Sequence, residues 1–416
     1  MRVPSADPGA ETMLRCSVGT AVQGADEARA RPRRVLLVRL SAIGDIVFAS
    51  PLIASVRRAY PQAHIAWLVQ PECAPLLAHH PALDQVIEWP LPHWRRLWRQ
   101  RRLLGLAMEV AAAVKALRAG RFDLAIDLQG LLKSALPVHW SGAPARIGLD
   151  AREGGQWLMT RCVGRGPDSD WISSEYRHLA FSLGWPTDDF RLQVHPGSEA
   201  EWAAEALIAE HGLDAGYAII CPFTTRPQKH WIDERWTTLA ARIRARFGLP
   251  TLMLGGPADR EAAWGIVAGG GAEARADLSS RGPLVNLVGA TSLLSAAALV
   301  ARARLLVGVD TGLSHMGIAL ERPTVLLFGS TCPYTETGSA AARVLYHSRH
   351  CSPCRRRPTC DGAFACMREI QIDEVMATLV ELLDQTEQAS RADRVGWADR
   401  PDQADQADLS MDRTSG

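Results

Sequence analysis

The sequence predicts an α/β protein with two doubly wound, Rossmann-like domains. Short runs rich in Leu, Ile and Val alternate with amphipathic helical stretches through most of the chain. The runs are apolar throughout, which is typical of parallel strands covered by helices on both faces. With 416 residues, 47% of them hydrophobic, the chain is long enough for two or three domains, and the alternation falls into two series.

The individual elements follow from composition and periodicity. The predicted strands are 34–40, 64–69, 85–89 and 122–128 in the first series, and 217–223, 249–256, 304–310 and 323–329 in the second. The clearest helical stretches are 49–60, 233–248 and 293–303, where apolar residues recur at helical spacing. Two doubly wound domains that face each other place their strand carboxyl ends on a central cleft, where ligands bind.

The two series set the expected domain bounds, 34–195 and 213–370. The stretch between them is polar and contains proline, as a linker would. A C-terminal helix is predicted over 371–387. The segments 1–33 and 388–416 lack periodicity and are predicted to be disordered tails.

Composition excludes several classes of protein. The net charge is +1, so nothing global indicates a nucleic-acid partner. No secretion signal is evident, and no apolar stretch approaches the roughly 18 residues of a membrane span. Five scattered cysteines suit a reducing compartment, which predicts a cytoplasmic protein. The chain has no P-loop and no glycine fingerprint after the first strand, which disfavours a dinucleotide dehydrogenase.

The first candidate site is Asp45, within the stretch RLSAIGDIVFASP after the first predicted strand. Gly44 would let the backbone turn, and Asp45 would cap a helix that begins near Ile46. A carboxylate in this position could also accept a proton from a substrate. On spacing alone, the cap and the catalytic base are equally supported.

The second candidate site follows the strand 217–223, in the stretch PFTTRPQKHWIDERW. Thr224 and Thr225 offer hydroxyl groups, and Lys229 offers a positive charge. Hydroxyls and a lysine at the carboxyl end of a strand suit a diphosphate. The alternative is a polar loop with a surface lysine, and the crowding of these groups in one turn favours the phosphate.

The third candidate site is the stretch VGVDTGLSHMGIAL, where a buried strand ends and a helix begins. Asp310, Thr311 and Gly312 open this helix, whose free N–H groups can bind an anion, and His315 lies one turn further on. A sharp helix start alone would explain Asp-Thr-Gly, and His315 could simply be a packed helix residue.

Together these turns resemble glycosyltransferase family nine, the lipopolysaccharide heptosyltransferases, and most closely the type I enzymes. The matching pieces are VRLSAIGDIVFASP, FDLAIDLQGLLKSA, TTRPQKHW, GGPADRE and VDTGLSH, in this order, and the resemblance spans about 34–385. It implies a GT-B fold, with an acceptor-binding first domain and a nucleotide-sugar-binding second domain. It also implies inverting transfer of L-glycero-D-manno-heptose from an ADP-sugar to the Kdo sugar of lipid A, with no cofactor and no metal in the chemistry.

The resemblance also implies a role for each candidate residue. Asp45 would be the general base, and Lys229 would contribute to catalysis as well as to binding. The remaining contacts to the ADP-sugar would come from Thr224, Thr225, Asp310, Thr311, Gly312 and His315. Asp259 and Thr291 fall where the family binds adenosine. Asp259 is shorter than the glutamate usual there, and Thr291 replaces a methionine.

An arginine-rich stretch, LPHWRRLWRQRRLLGL, is the dense basic run of the predicted folded part. Read alone, it fits a solvated helix, an anionic membrane surface or a nucleic-acid contact. The resemblance favours an anionic, lipid-linked acceptor, Kdo-lipid A, bound peripherally at the cytoplasmic face of the inner membrane, and no nucleic acid. The acceptor-side candidates are Arg95, Arg96, Arg99, Lys133 and Arg152.

A loop near the C-terminus holds four cysteines at the spacing C-x2-C-x5-C-x5-C: Cys351, Cys354, Cys360 and Cys366. Four thiolates could bind a structural zinc ion. The spacing is not that of a standard zinc finger or ribbon, so a reduced, metal-free loop is favoured.

Two other functions stay open. The chain could be another family nine transferase with a different sugar or acceptor. It could also be a nucleotide-sugar binder or an epimerase on the GT-B scaffold. Asp45 argues against a pure binder. An epimerase would work without any acceptor, so ADP release that depends on an acceptor would separate it from a transferase.

Overall fold

The computed structural model describes residues 32–167, 170–269, 284–330, 334–354 and 357–398. They belong to two compact units, unit 1 within Met1–Gly197 and unit 2 within Ser198–Gly416. The predicted tails fall mostly on residues 1–31 and 399–416, outside the described ranges. No helix of the described ranges is long and apolar enough to cross a bilayer.

Unit 1 is a six-stranded, all-parallel sheet with helices. Its strands are β1 (Arg34–Val38), β2 (His64–Val69), β3 (Gln85–Glu88), β4 (Leu124–Asp127), β5 (Ala145–Leu149) and β6 (Arg161–Val163). Its helices are α1 (Ile43–Ala49), α2 (Pro51–Ala59), α3 (Leu91–Arg99), α4 (Leu103–Ala119), α5 (Leu132–Trp140) and α6 (Ser174–Ser182). The strand order is β3-β2-β1-β4-β5-β6.

Strand β1 lies in the interior of this sheet, where its apolar side chains are buried. Its residues from Val35 to Val38 are fully buried, on both faces of the sheet. Val38 pairs with Leu68 of β2 on one side and with Asp127 of β4 on the other. The chain emerging from β1 therefore lies beside the carboxyl end of β4.

Unit 2 repeats the architecture. Its strands are β7 (Ala218–Cys221), β8 (Thr251–Met253), β9 (Leu284–Asn286), β10 (Leu305–Val309), β11 (Thr324–Phe328) and β12 (Ala342–Tyr346). Its helices are α7 (Ser198–Glu210), α8 (Asp233–Phe247), α9 (Arg260–Gly269), α10 (Leu293–Arg302), α11 (Gly312–Ala319), α12 (Ala365–Arg368) and α13 (Ile372–Ala398). The order is β12-β11-β10-β7-β8-β9, again all parallel.

Successive residues of the central strands of unit 2 feed two hydrophobic cores, one on each face of the sheet. Ile220 and Val307 belong to one core, and Ile219 and Leu306 belong to the other. Because both faces are covered, strands with apolar residues at every position are favoured over strands with alternating polarity.

All eight predicted strands are present, and the three helical stretches contain α2, α8 and α10. Four strands were not predicted: β5, β6, β9 and β12. Helix α7 occupies part of the gap left between the predicted domains, and α13 continues past residue 387, where the sequence predicts the helix to end. The cleft expected between the domains stays a prediction.

Both sheets have the doubly wound order in which the chain reverses direction at a topological switch point. That point lies between β1 and β4 in unit 1 and between β7 and β10 in unit 2. Ligands of such sheets bind outside the carboxyl ends of these strands. The three candidate stretches follow β1, β7 and β10, so each begins at a switch point.

Candidate active site

Asp45 lies in the first turn of α1, and this corrects the prediction that it precedes the helix. The helix begins at Ile43, so Gly44 is helical and does not form a tight turn. The Asp45 carboxylate accepts a hydrogen bond from the Ala42 N–H at 3.1 Å, so it does help to cap the helix. Its side chain is 44% exposed, which leaves carboxylate surface available to a ligand.

Arg39 holds the Asp45 carboxylate from the protein side. Its Nη2 lies 2.6 Å from Asp45 Oδ2, and its Nη1 donates to the Leu128 carbonyl at 2.9 Å. The arginine is buried, and its own carbonyl accepts from the Trp67 indole at 3.2 Å. Sequence reasoning missed Arg39, because it placed this residue inside the predicted strand 34–40, whereas the strand ends at Val38.

Asp127 ends β4 next to this ion pair and is fully buried. Its Oδ1 accepts hydrogen bonds from the N–H groups of Gln129 and Gly130, at 2.9 and 3.0 Å. Burial raises the pKa of Asp127, against these hydrogen bonds and the nearby charge of Arg39. The residue therefore organises the turn after β4 and is not a solvent-facing base.

Gly130 brings two predicted acceptor-side residues into adjacent turns. Its φ is +69°, and an added Cβ would lie 2.6 Å from the Asp150 carbonyl oxygen, so only glycine fits here. The Arg152 N–H donates to the Gly130 carbonyl at 2.8 Å. Gly130 precedes Lys133, a residue of α5, by three positions. The Arg152 side chain pairs with Asp150 at 3.0 Å.

The other acceptor-side candidates lie elsewhere in unit 1. Arg95, Arg96 and Arg99 are exposed on α3, which follows the edge strand β3. In the sheet order, β2 and β1 separate β3 from β4, after which Lys133 lies. The predicted acceptor set therefore divides into two groups, one near the switch point and one at the edge of the sheet.

In unit 2, the turns after β7 and β10 meet in one charged cluster. Lys229 Nζ lies 2.7 Å from Asp310 Oδ2, and His315 Nε2 lies 3.1 Å from Asp310 Oδ1. The Thr224 hydroxyl donates to the Asp310 carbonyl at 3.3 Å. The structure thus brings together four residues that the sequence placed in two separate stretches.

The ion pair fixes the charge of Asp310. Burial opposes ionisation of this carboxyl, but the hydrogen bond from His315 and the positive charge of Lys229 hold its pKa well below the usual range. Asp310 is therefore a permanent anion that positions Lys229 and His315.

Tyr334 completes the cluster and was missed by sequence reasoning. Its hydroxyl lies 2.7 Å from His315 Nδ1. When His315 Nε2–H donates to Asp310, Nδ1 is left to accept a hydrogen bond from the Tyr334 hydroxyl. Burial and the Asp310 charge raise the pKa of Tyr334, which keeps the hydroxyl protonated. Nothing in the residues around Tyr334 distinguished it from an ordinary loop tyrosine.

The remaining residues of these two stretches line the same turns. Thr225 is exposed beside Thr224, and Thr311 is the half-buried residue before α11, which begins at Gly312. Strand β10 lets this helix lie close to the sheet through Gly308. An added Cβ there would overlap Ser314 Oγ and lie 2.9 Å from Cys221 Cβ.

Asp259 and Thr291 lie in adjoining turns after β8 and β9. The Gly289 N–H donates to the Gly255 carbonyl at 3.0 Å, and Arg260 donates to the Gly289 carbonyl at 2.6 Å. The Asp259 carboxylate accepts from the Gly256 N–H at 2.8 Å, which stabilises its own turn. Both residues thus lie at the carboxyl edge of the same sheet as Lys229.

The four cysteines of the C-terminal loop are free thiols, and Cys366 is buried in α12. Within the described ranges, no three His, Cys, Asp or Glu side chains are arranged to hold a metal ion. Metal uptake by the loop, and the preference for a metal-free one, both stay predictions.

Comparison with known proteins agrees with this geometry. Residues 110–363 match the family model described as "Glycosyltransferase family 9 (heptosyltransferase)". Lipopolysaccharide heptosyltransferase 1 of Pseudomonas aeruginosa is 32% identical over 79% of this chain and 87% of its own length. Lipopolysaccharide heptosyltransferase 2 of Salmonella typhimurium is 28% identical over 85% of this chain and 99% of its own length.

The solved structures agree with the fold. An E. coli heptosyltransferase solved with ADP-2-deoxy-2-fluoro heptose superposes with a TM-score of 0.62. It is 26% identical, and the match covers 84% of this chain and 99% of that one. The predicted α/β class and GT-B fold are confirmed, and the chain belongs to glycosyltransferase family 9, the heptosyltransferases.

Proposed function

We propose that the protein transfers L-glycero-D-manno-heptose from its ADP derivative to the Kdo sugar of the lipopolysaccharide inner core, with inversion of the anomeric centre. The observation that carries the proposal is the Lys229–Asp310–His315 cluster at the switch point of unit 2. A relative from the same family was solved with an ADP-heptose analogue, which supports an ADP-sugar donor.

The cluster suits the leaving group of this reaction. Negative charge develops on the β-phosphate of ADP as the glycosidic bond breaks, and fixed positive groups stabilise it. Lys229 supplies one ammonium group, and the free N–H groups at the start of α11 supply a second, dipolar contribution. Because Asp310 and Tyr334 already orient Lys229 and His315, little reorganisation is needed when the diphosphate binds.

Asp45 fits the role of the general base. It would accept the proton of the Kdo hydroxyl as that oxygen attacks the anomeric carbon. Arg39 fixes the orientation of the carboxylate through Oδ2, and the partly exposed carboxylate can face an acceptor. Asp45 also caps α1, so the two alternatives raised by its spacing are compatible.

The acceptor we propose is Kdo-lipid A, bound by Lys133, Arg152 and the arginines of α3. Guanidinium groups pair bidentately with carboxylates and phosphates, which this acceptor carries. Since the acceptor is lipid-linked, we place the reaction at the cytoplasmic face of the inner membrane, with peripheral attachment. Type I specificity is favoured by the 32% identity to heptosyltransferase 1 of Pseudomonas aeruginosa, although within Salmonella typhimurium the identities to types 1 and 2 are 29% and 28%.

The test is to incubate the purified chain with ADP-heptose and Kdo-lipid A and to identify the product by mass. One added heptose with stoichiometric ADP is the expected result. Asp45→Asn should abolish transfer while ADP binding persists, and Lys229→Ala should weaken both ADP binding and turnover. Transfer only to a different acceptor would replace the type I assignment, and conversion of ADP-heptose to an isomer without any acceptor would favour the epimerase.

We further propose that the chemistry uses no metal, because Lys229 and the α11 terminus can provide the positive charge at the diphosphate. A chelator should leave the initial rate unchanged. A rate lost on chelation and restored by a divalent cation would refute the metal-free chemistry but not the proposed heptose transfer.

A further inference from the structure

The hairpin of α3 and α4 in unit 1 exposes large apolar side chains. Trp98 is 65% exposed, Leu103 52%, Leu104 78% and Met108 65%. These are four of the ten strongly exposed large hydrophobic residues in the described ranges, and they fall within one short stretch of the chain. Such a concentration indicates a contact surface, whereas single exposed apolar residues do not.

Helix α4 has apolar residues on its outer face as well as its inner one. Leu106, Val110 and Val114 pack against the core of unit 1, as expected for a surface helix. The outward side carries Leu104 and Met108, and it continues through the exposed alanines Ala107, Ala111 and Ala112. Glu109, Lys115 and Arg118 of the same helix are also exposed, so the apolar outer face is confined to its first half. Apolar helix surface of this kind is normally buried in protein or in lipid, and here it is exposed.

Positive charge borders the apolar face. Arg95, Arg96, Arg99, Arg101 and Arg102 are all exposed. None of these arginines forms an ion pair within the described ranges, and the nearby Glu109 pairs with His93 at 3.1 Å. The net charge of the whole chain is only +1, so this is a local concentration of charge.

A groove between the two helices joins the apolar and basic parts. It has a volume of about 330 Å³ and is lined by Leu91, Trp94, Arg95, Trp98, Arg99 and Leu106. Its wall is almost entirely apolar, so Arg95 and Arg99 line it with the aliphatic parts of their side chains. We refer to this groove, the five arginines and the four exposed apolar residues as the α3–α4 surface.

We propose that the α3–α4 surface docks the protein on an anionic phospholipid bilayer. Leu103, Leu104 and Met108 would enter the interface between headgroups and acyl chains. The arginines would contact lipid phosphates, an arrangement typical of helices that lie in the membrane plane. The proposal deepens the proposed function, since it names the surface that would bring the enzyme to a lipid-linked acceptor.

The charge and the aliphatic side chains argue against other occupants. A second copy of the chain, docked face to face through the same surface, would bring two sets of five arginines together. Single-stranded nucleic acid stacks on aromatic groups, and it leaves exposed leucine and methionine side chains without a partner. A bilayer with anionic headgroups satisfies the basic and the aliphatic groups at once.

The test is co-sedimentation of the full chain with vesicles, without donor or acceptor. One set of vesicles is phosphatidylcholine, and the other is phosphatidylcholine mixed with phosphatidylglycerol. We expect binding to the mixed vesicles, decreasing with salt. The double variant Leu104→Gln/Met108→Gln should bind at least about ten-fold more weakly, because two apolar side chains no longer enter the interface.

Phe181→Gln is the matched control, because Phe181 is 74% exposed on α6 of the same unit. It should bind vesicles like the wild type. The double variant should keep wild-type turnover on a water-soluble acceptor lacking acyl chains, which separates docking from catalysis. Equal binding to both vesicle types, or wild-type binding by the double variant, would overturn the proposal. So would a dimer in light scattering that the double variant abolishes.

Discussion

The guanidinium group of Arg39 lies 2.6 Å from the Asp45 carboxylate and also donates to the Leu128 carbonyl. One buried side chain thus connects the turn after β1 with the end of β4, the two elements that flank the switch point of unit 1. The orientation of Asp45 therefore depends on a residue that sequence motifs did not single out.

Arg39→Gln should lower kcat by about ten- to a hundred-fold, the range expected when a hydrogen bond to a charged group is lost. The KM for ADP-heptose should change little, because the donor is proposed to bind unit 2. Steady-state kinetics with varied donor and acceptor would measure both parameters. Arg57→Gln is the control, since Arg57 makes a 2.6 Å ion pair with Asp84 in the same unit. An unchanged kcat in Arg39→Gln would remove Arg39 as a positioning residue.

Tyr334→Phe should reduce kcat/KM for the donor by about five-fold, since the hydroxyl that orients His315 contributes roughly 1 kcal/mol. Isothermal titration with ADP would show whether ground-state binding accounts for the loss. Tyr217→Phe serves as the control, because it removes a 2.7 Å hydrogen bond to the Leu299 carbonyl in the same unit. That variant should lose stability but keep its activity. Full activity in Tyr334→Phe would exclude a role for the hydroxyl.

The central strands β1, β4, β7 and β10 could be predicted from the sequence, whereas of the four edge strands only β3 could. Strands β1 and β10 are buried on both faces, so their runs of Leu and Val are continuous. Strand β9 has three residues, all half-buried, and β5 and β6 begin with exposed residues. Short, partly exposed strands carry little apolar signal, and their pairing depends on neighbours distant in sequence.

The candidate site shows the same division. Lys229 and Asp310 lie in turns whose residue types predict an anion-binding site. Their 2.7 Å contact, however, arises only when β7 and β10 pair. Tyr334 enters the site from a loop with no periodicity, and local sequence gives no reason to choose it. Arg39 is a third case. It lies in one of the stretches that the sequence singled out, but its pairing with Asp45 depends on where α1 begins.

Acid should destabilise unit 1 through His80. Its Nδ1 accepts from the Ala82 N–H at 3.2 Å, and its Nε2 lies 2.8 Å from Gln193 Oε1, so the folded state holds a neutral ring. Burial, with a smaller effect of His195, lowers the pKa of His80 to about 4. In the unfolded chain the pKa is near the usual value of about 6.5, so the unfolded state binds the proton first.

As the pH falls from about 6.5 to about 4, His80 should therefore remove on the order of 2–3 kcal/mol of stability. Urea unfolding followed across this range measures the slope. His80→Gln should flatten it, whereas His139→Gln, at an exposed position on α5, should not. A slope that is the same in wild type and His80→Gln would show that other groups cause the acid sensitivity.

Gly308→Ala should impair the donor site through the contact between β10 and α11. The added Cβ would overlap Ser314 Oγ, so the serine side chain must rotate or α11 must move away from the sheet, and a shift of the helix would displace His315. We expect a loss of about 1–3 kcal/mol in stability and weaker ADP binding. Gly265→Ala, on α9 with no atom within 4 Å of the added Cβ, should instead leave ADP binding intact. Thermal unfolding and ADP titration measure the two effects.

The clash can also be relieved directly. Because the overlap is with Ser314 Oγ, the double variant Gly308→Ala/Ser314→Ala should recover part of both losses. The remaining deficit reflects the Cβ contact with Cys221, at 2.9 Å. A double-mutant cycle with no coupling between the two positions would show that α11 does not rest on β10 through this contact. The positions of Asp310 and His315 would then depend on other contacts of the helix.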